Sequence, residues 1–88
     1  MNEIQIQVMT PNGDPHDVAA PLDMRVDLFI QELMPALRLA STDAEGHPIV
    51  WHLYSKATGR ELLPEQTLQQ NGVKADHKLN LIRRTVAG

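Results

Sequence analysis

The feature that most constrains this chain is a change of hydrophobic period near residue 26. Before it, Ile4, Ile6 and Val8 alternate with Glu3, Gln5 and Gln7, the two-residue repeat of a strand with one buried face. Thr10-Pro11-Asn12-Gly13-Asp14-Pro15 concentrates turn formers, and Asn12-Gly13 can supply the positive φ angles of a tight hairpin. His16, Val18 and Ala20 resume the alternation as far as Pro21, so residues 3–20 are predicted to form a β-hairpin. From Val26 the repeat lengthens. Val26, Phe29, Ile30, Leu33, Met34 and Leu37 recur at three- and four-residue intervals and would share one helix face. Asp23 or Asp27 can accept from free amides of the first turn. Pro35 removes a backbone donor and crowds the preceding turn, so the helix is predicted to kink there or to end just before it.

Ser41-Thr42-Asp43-Ala44-Glu45-Gly46 has no apolar period and reads as an exposed loop. After His47-Pro48, the β-branched and aromatic run Ile49-Val50-Trp51-His52-Leu53-Tyr54 reads as a strand, with Gly59 marking the next turn. Arg60-Glu61-Leu62-Leu63 reads as a short extended piece. Residues 64–72 read as a connector with a helical turn, its Leu68 tucked inward and Asn71-Gly72 stopping it. Leu79, Leu81 and Ile82 mark the last strand. The order β-β-α-β-β-β predicts an α+β domain, a mixed sheet of four to five strands packed on one helix. A right-handed crossover would set the last strand parallel to the first.

With 88 residues the chain has room for one core, and a deep enclosed active site would compete with that core for side chains. Absence of Cys excludes disulfides, thiolate zinc sites and a cysteine nucleophile, and fits a cytoplasmic setting. One Trp, one Tyr and one Phe leave an aliphatic core. The net charge is −3, and only Arg83-Arg84 pairs basic residues, so nucleic acid is not an expected partner. No run approaches the ~20 apolar residues of a membrane span, and Met1-Asn2-Glu3-Ile4 has no leader character, so a soluble protein starting at Met1 is expected.

The stretch Trp51-His52-Leu53, Gly59-Arg60-Glu61-Leu62, Thr67-Leu68, Asn71-Gly72-Val73 and Asp76-His77-Lys78-Leu79-Asn80-Leu81 resembles the second half of the ubiquitin-like β-grasp family. It is similar to the YukD-like bacterial branch, whose helix often carries a Leu-x-Pro-x-Leu pattern like the one around Pro35. The run from Leu79 to Gly88 also matches ubiquitin's last strand and tail in length, with Arg84 at a tail arginine and Gly88 at the reactive glycine. Ala87, Thr85 and Val86 depart from ubiquitin's tail.

The resemblance implies a β-grasp domain over residues 1–84 and a flexible tail over 85–88. It implies no enzyme and no cofactor. As a prokaryotic protein modifier, the chain would be adenylated at the Gly88 carboxylate by a separate activating enzyme and passed to a carrier nucleophile. It would then be joined to target proteins and released by a deconjugating protease. Gly88 and the small Ala87 would form the conjugation terminus, with Arg84, Thr85 and Val86 as the recognised stem and Arg84 steering it through bidentate hydrogen bonds. The alternative is a non-covalent YukD-like accessory module of type VII secretion, and a third reading is a sulfur carrier. Partners of this fold commonly dock on the exposed sheet face. If Trp51 and Leu53 face the helix, then His52, Tyr54 and Ile82 form that patch, with Gln5, Gln7 and Asn80 beside it.

Other constellations carry less. His16, His47, His52 and His77 lack metal-site spacing. Ser41, Asp43 and His47 lie in one loop with no element to hold a catalytic geometry. Glu61, Glu65 and Asp76 read as solvated turn residues, and the glycines are isolated, without a phosphate-cradling loop. Lys56, Lys74 and Lys78 read as solvated surface. Sheet edges leave a homo-oligomer open.

Overall fold

The opening alternation is realised as β1 (Glu3–Met9), paired antiparallel with β2 (Pro15–Pro21). In the computed structural model, which describes residues 3–85, there follow α1 (Val26–Ala36), β3 (Ile49–Ser55), β4 (Arg60–Glu61) and β5 (Lys78–Thr85). The sheet order is β2-β1-β5-β3-β4. β5 lies parallel to β1, with Gln7 opposite Lys78, and antiparallel to β3. This mixed five-stranded sheet with one helix is the ubiquitin-like β-grasp fold. Pro15 and Pro21 are tolerated because β2 is an edge strand.

The turn between β1 and β2 is longer than the Asn12-Gly13 signal predicts. Met9 pairs with Pro15, leaving residues 10–14 as the loop, closed by Thr10 N–H to the Asp14 carbonyl at 3.1 Å and Gly13 N–H to the Thr10 carbonyl at 2.9 Å. Only Gly13 takes a positive φ there, +88°. A two-residue type I′ turn on Asn12-Gly13 needs both central residues in that region, and this loop has one.

α1 does not end before Pro35. It runs through Pro35 to Ala36 and closes with Leu39 N–H on the Met34 carbonyl at 2.8 Å and Arg38 N–H on the Pro35 carbonyl at 3.4 Å. This is a Schellman closure with Arg38, φ +55°, where glycine is usual. Pro35 lacks the N–H that would reach the Gln31 carbonyl, yet the helix carries on past it, with Leu37 N–H on the Leu33 carbonyl at 2.8 Å. At the other end, the cap comes from the connector rather than from an aspartate alone. Val26 and Asp27 donate their N–H groups to the Gln66 and Pro64 carbonyls at 2.9 and 3.1 Å. Asp27 Oδ1 accepts from the Leu28 amide at 2.8 Å.

One face of α1 (Val26, Phe29, Ile30, Leu33) packs on the inward residues of the sheet, Ile6, Val8, Ala20, Ile49, Trp51, Leu53, Leu79 and Leu81. Leu62, Leu68 and Val73 close the core from the connector, and Met34 and Leu37 are half-buried against it. Each fully buried aliphatic side chain contributes about 1.5–3 kcal/mol relative to exposure. The connector is held by Thr67 and Gln70 in a reciprocal capping box: Gln70 Oε1 accepts the Thr67 amide at 2.9 Å, and Thr67 Oγ1 accepts the Gln70 amide at 3.0 Å. Asn71 accepts from Leu63 N–H through Oδ1 at 2.8 Å and donates from Nδ2 to the Thr67 carbonyl at 2.9 Å. Gly72 then turns the chain at φ +78°.

The loop over residues 41–48 is exposed but more ordered than its composition predicts. Asp43 Oδ1 accepts the amides of His47 at 2.8 Å and Glu45 at 2.9 Å, and Thr42 bridges Pro48. Trp51 Nε1 donates to the Ala40 carbonyl at 2.9 Å, fastening the start of this loop to β3.

Candidate protein-docking face

Alternation along β3 decides what the outward face of the sheet displays. Ile49, Trp51, Leu53 and Ser55 are buried beneath α1, while Val50, His52 and Tyr54 point away. Pairing of β3 with β5 sets Arg84 beside Val50, Ile82 beside His52 and Asn80 beside Tyr54. Met9 flanks Asn80 from β1, and Glu61 flanks Tyr54 from β4. The outward face therefore carries a row Met9–Asn80–Tyr54–Glu61 across four strands, with Ile82 and His52 in the next row.

Glu61 is the hub of its charged side. The Arg84 guanidinium reaches across β3 to it, with Nη2 2.8 Å from Oε1 and Nη1 3.3 Å from Oε2. His52 Nδ1 stands 3.6 Å from Oε2, close enough for attraction when protonated but beyond a hydrogen bond. Glu61 is thus an ion-pair residue on the outward face of the sheet, not the freely solvated turn residue its context predicts. The signal that could have found it is the hairpin register: the Gly59 turn returns β4 with Glu61 opposite outward-facing Tyr54. A second feature was invisible in the sequence. Asn80 Oδ1 is buried and has no hydrogen-bond partner among the described residues.

The sequence-predicted residues separate clearly. His52, Tyr54 and Ile82 come together on the outward face, all half-buried. Arg84 joins them as a strand residue paired to Glu61. β5 extends to Thr85, opposite Ile49, so the backbone of Thr85 belongs to the sheet rather than to a tail beginning at 85. Val86, Ala87 and Gly88 lie outside the described residues.

Elsewhere the loop pair Asp43–His47 does meet, Oδ2 to Nδ1 at 3.3 Å. Its role is architectural: the His47 amide, and after it the Glu45 amide, hold the Asp43 carboxyl below its ordinary range. Among the described residues no cluster of three or more His, Asp and Glu could hold a metal ion, and no helix is long and apolar enough to cross a membrane.

The family of the chain is decided by a match over residues 4–75 to the model of the WXG100 protein secretion system (Wss) protein YukD. The chain belongs to the YukD family. Solved structures agree on the fold of this YukD-family chain. A designed protein based on ubiquitin is similar with a TM-score of 0.75 at 18% identity, over 98% of this chain and 94% of that one. A ubiquitin of Caldiarchaeum subterraneum gives 0.68 at 22% identity, over 98% and 99%. The N-terminal ubiquitin-like domain of the 4931431F19Rik protein gives 0.72 at 21% identity, over 99% and 80%. No curated protein matches the chain in sequence.

Proposed function

We propose that this chain is a ubiquitin-like docking module that binds a protein partner on the outward face of β3, β4 and β5, as a non-covalent accessory of the secretion system after which its family is described. The observation that carries this reading is the Arg84–Glu61 pair laid beside Tyr54, Asn80 and Ile82. A mixed apolar and charged patch of this kind suits transient recognition, in which a partner covers the half-buried tyrosine. The fold has no need of chemistry of its own in this role. A photo-crosslinking residue at position 54, in cells expressing the neighbouring genes, should capture one partner, and Tyr54→Ala with Ile82→Ala should lose that partner's binding while the domain stays folded. Absence of any adduct at position 54 would sink the reading.

A second reading, a protein modifier conjugated through Gly88, draws support from the near end-to-end match to an archaeal ubiquitin. In this role Arg84 would leave Glu61 to guide the stem into an activating enzyme. Intact mass after co-expression with neighbouring genes and ATP separates the two. A covalent adduct that vanishes on deletion of Gly88 supports the modifier, and an unchanged 9.8 kDa mass supports the docking module.

A further inference from the structure

A groove of about 560 Å³ opens on the other side of the molecule, between the β1–β2 turn, the C-terminal end of α1 and the inward side of β5. Its lining includes Leu37, Leu39 and Trp51, which give it an apolar floor, and two exposed arginines, Arg38 and Arg83. Neither arginine forms an ion pair among the described residues, whereas Arg25 and Arg84 each do. Arg83 acts on Asp43 only through space, and the one carboxylate lining the groove is Asp14. Arg38 stands out a second way. It occupies the left-handed position that ends α1, at φ +55°, where a residue with a Cβ is strained by about 1–2 kcal/mol and glycine is not. Strain of this kind, kept at a position that carries a charge into a groove, points to use of that charge. The negative end of α1 offers Arg38 some compensation. Arg83 reaches the same groove from β5.

We propose that this groove binds an extended acidic segment of a partner protein, with Arg38 and Arg83 clamping one or two carboxylates and an adjacent aliphatic side chain resting on Leu37, Leu39 and Trp51. Guanidinium groups suit this because each offers paired donors to a planar carboxylate. The site is separate from the outward sheet face and does not depend on it, since the two lie on opposite sides of the sheet.

The test is a titration of the ¹⁵N-labelled full chain, followed by amide shifts, with a capped peptide alternating leucine and glutamate. Its leucine–glutamine counterpart is the control. The expected result is saturable binding with a Kd of roughly 0.1–1 mM, shifts centred on Leu37, Arg38, Leu39 and Arg83, and none on Tyr54 or Ile82. Arg38→Gln with Arg83→Gln should weaken it at least about tenfold, as should the glutamine peptide, without lowering the melting temperature. The charge-reversed pair Arg38→Glu with Arg83→Glu should instead take a leucine–lysine peptide. Equal binding of the glutamine peptide, indifference to the double variant, shifts on the outward face, or no saturable shift would each overturn the proposal. Tighter binding of a single-stranded oligonucleotide at the same residues would also overturn it, in favour of a phosphate ligand.

Discussion

The two faces of β3 differ in kind. Trp51 and Leu53 point inward into a closed aliphatic core, while His52 and Tyr54, one residue along, lie among Asn80, Ile82, Glu61 and Arg84 at the surface. The inward face gains its stability from area removed from water, so its residues are constrained by volume. The outward face holds polar and charged groups whose mutual attraction is screened by solvent, so its residues can change with little loss of stability. A sheet built this way separates, on a single strand, the residues that hold the core from those that face outward.

The sharpest way to break that comparison is a pair of neighbouring substitutions. Leu53 is fully buried, and Leu53→Ala is expected to cost about 2–5 kcal/mol in denaturant unfolding. Tyr54→Ala is expected to cost about 1 kcal/mol or less. Comparable losses at the two positions would mean that the outward face is a second core. Arg38→Gly relieves the left-handed strain at the end of α1 and should raise stability by about 0.5–1 kcal/mol in a thermal melt, net of the added freedom of the unfolded chain. A loss of stability there would show that the Arg38 charge is used within the fold. Glu61→Gln removes the hub of the outward pair, in which Arg84 is 54% and Glu61 35% exposed, and should change stability by no more than about 0.5 kcal/mol. Its larger effect should be on partner capture at position 54, read by the same crosslink.

The smallest expected effect is acid-dependent. The amides of His47 and Glu45 hold the folded Asp43 carboxyl below its ordinary value of 3.8. A lowered folded value means the unfolded state binds the proton more readily. The contribution of Asp43 is therefore complete above the ordinary value and is lost as pH falls through the lowered one. Melting curves taken through that acid range should flatten for Asp43→Asn relative to the unmodified chain, and an identical acid profile would show that the loop does not contribute.

Alternation, three-to-four spacing and β-branched content were enough to locate β1, β2, α1, β3 and β5, because they depend only on the residue types along the chain, whereas β4 was legible only as a short extended piece after the Gly59 turn. The inward set of α1 and the outward placement of His52, Tyr54 and Ile82 follow from the same counting once Trp51 is taken as buried. Element ends were less legible. The helix was expected to kink at Pro35 or to end just before it, and it passes that residue to Ala36, where the Schellman bonds of Arg38 and Leu39 supply the closure. The first turn was expected to be tight, yet five residues close it, a choice made by loop hydrogen bonds that composition does not encode.

What the sequence determined by itself is the set of elements, the aliphatic core, the family resemblance and the alternation that splits each strand into two faces. The tertiary structure alone decided which distant residues meet: Glu61 with Arg84 across β3, the Pro64 and Gln66 carbonyls with the first amides of α1, Arg38 with Arg83 around one groove, and Asn80 without a donor. The reason is physical. Periodicity is a property of neighbours along the chain, whereas these contacts depend on register, on crossover and on how far a long side chain can reach, and each is fixed only when the sheet closes on the helix.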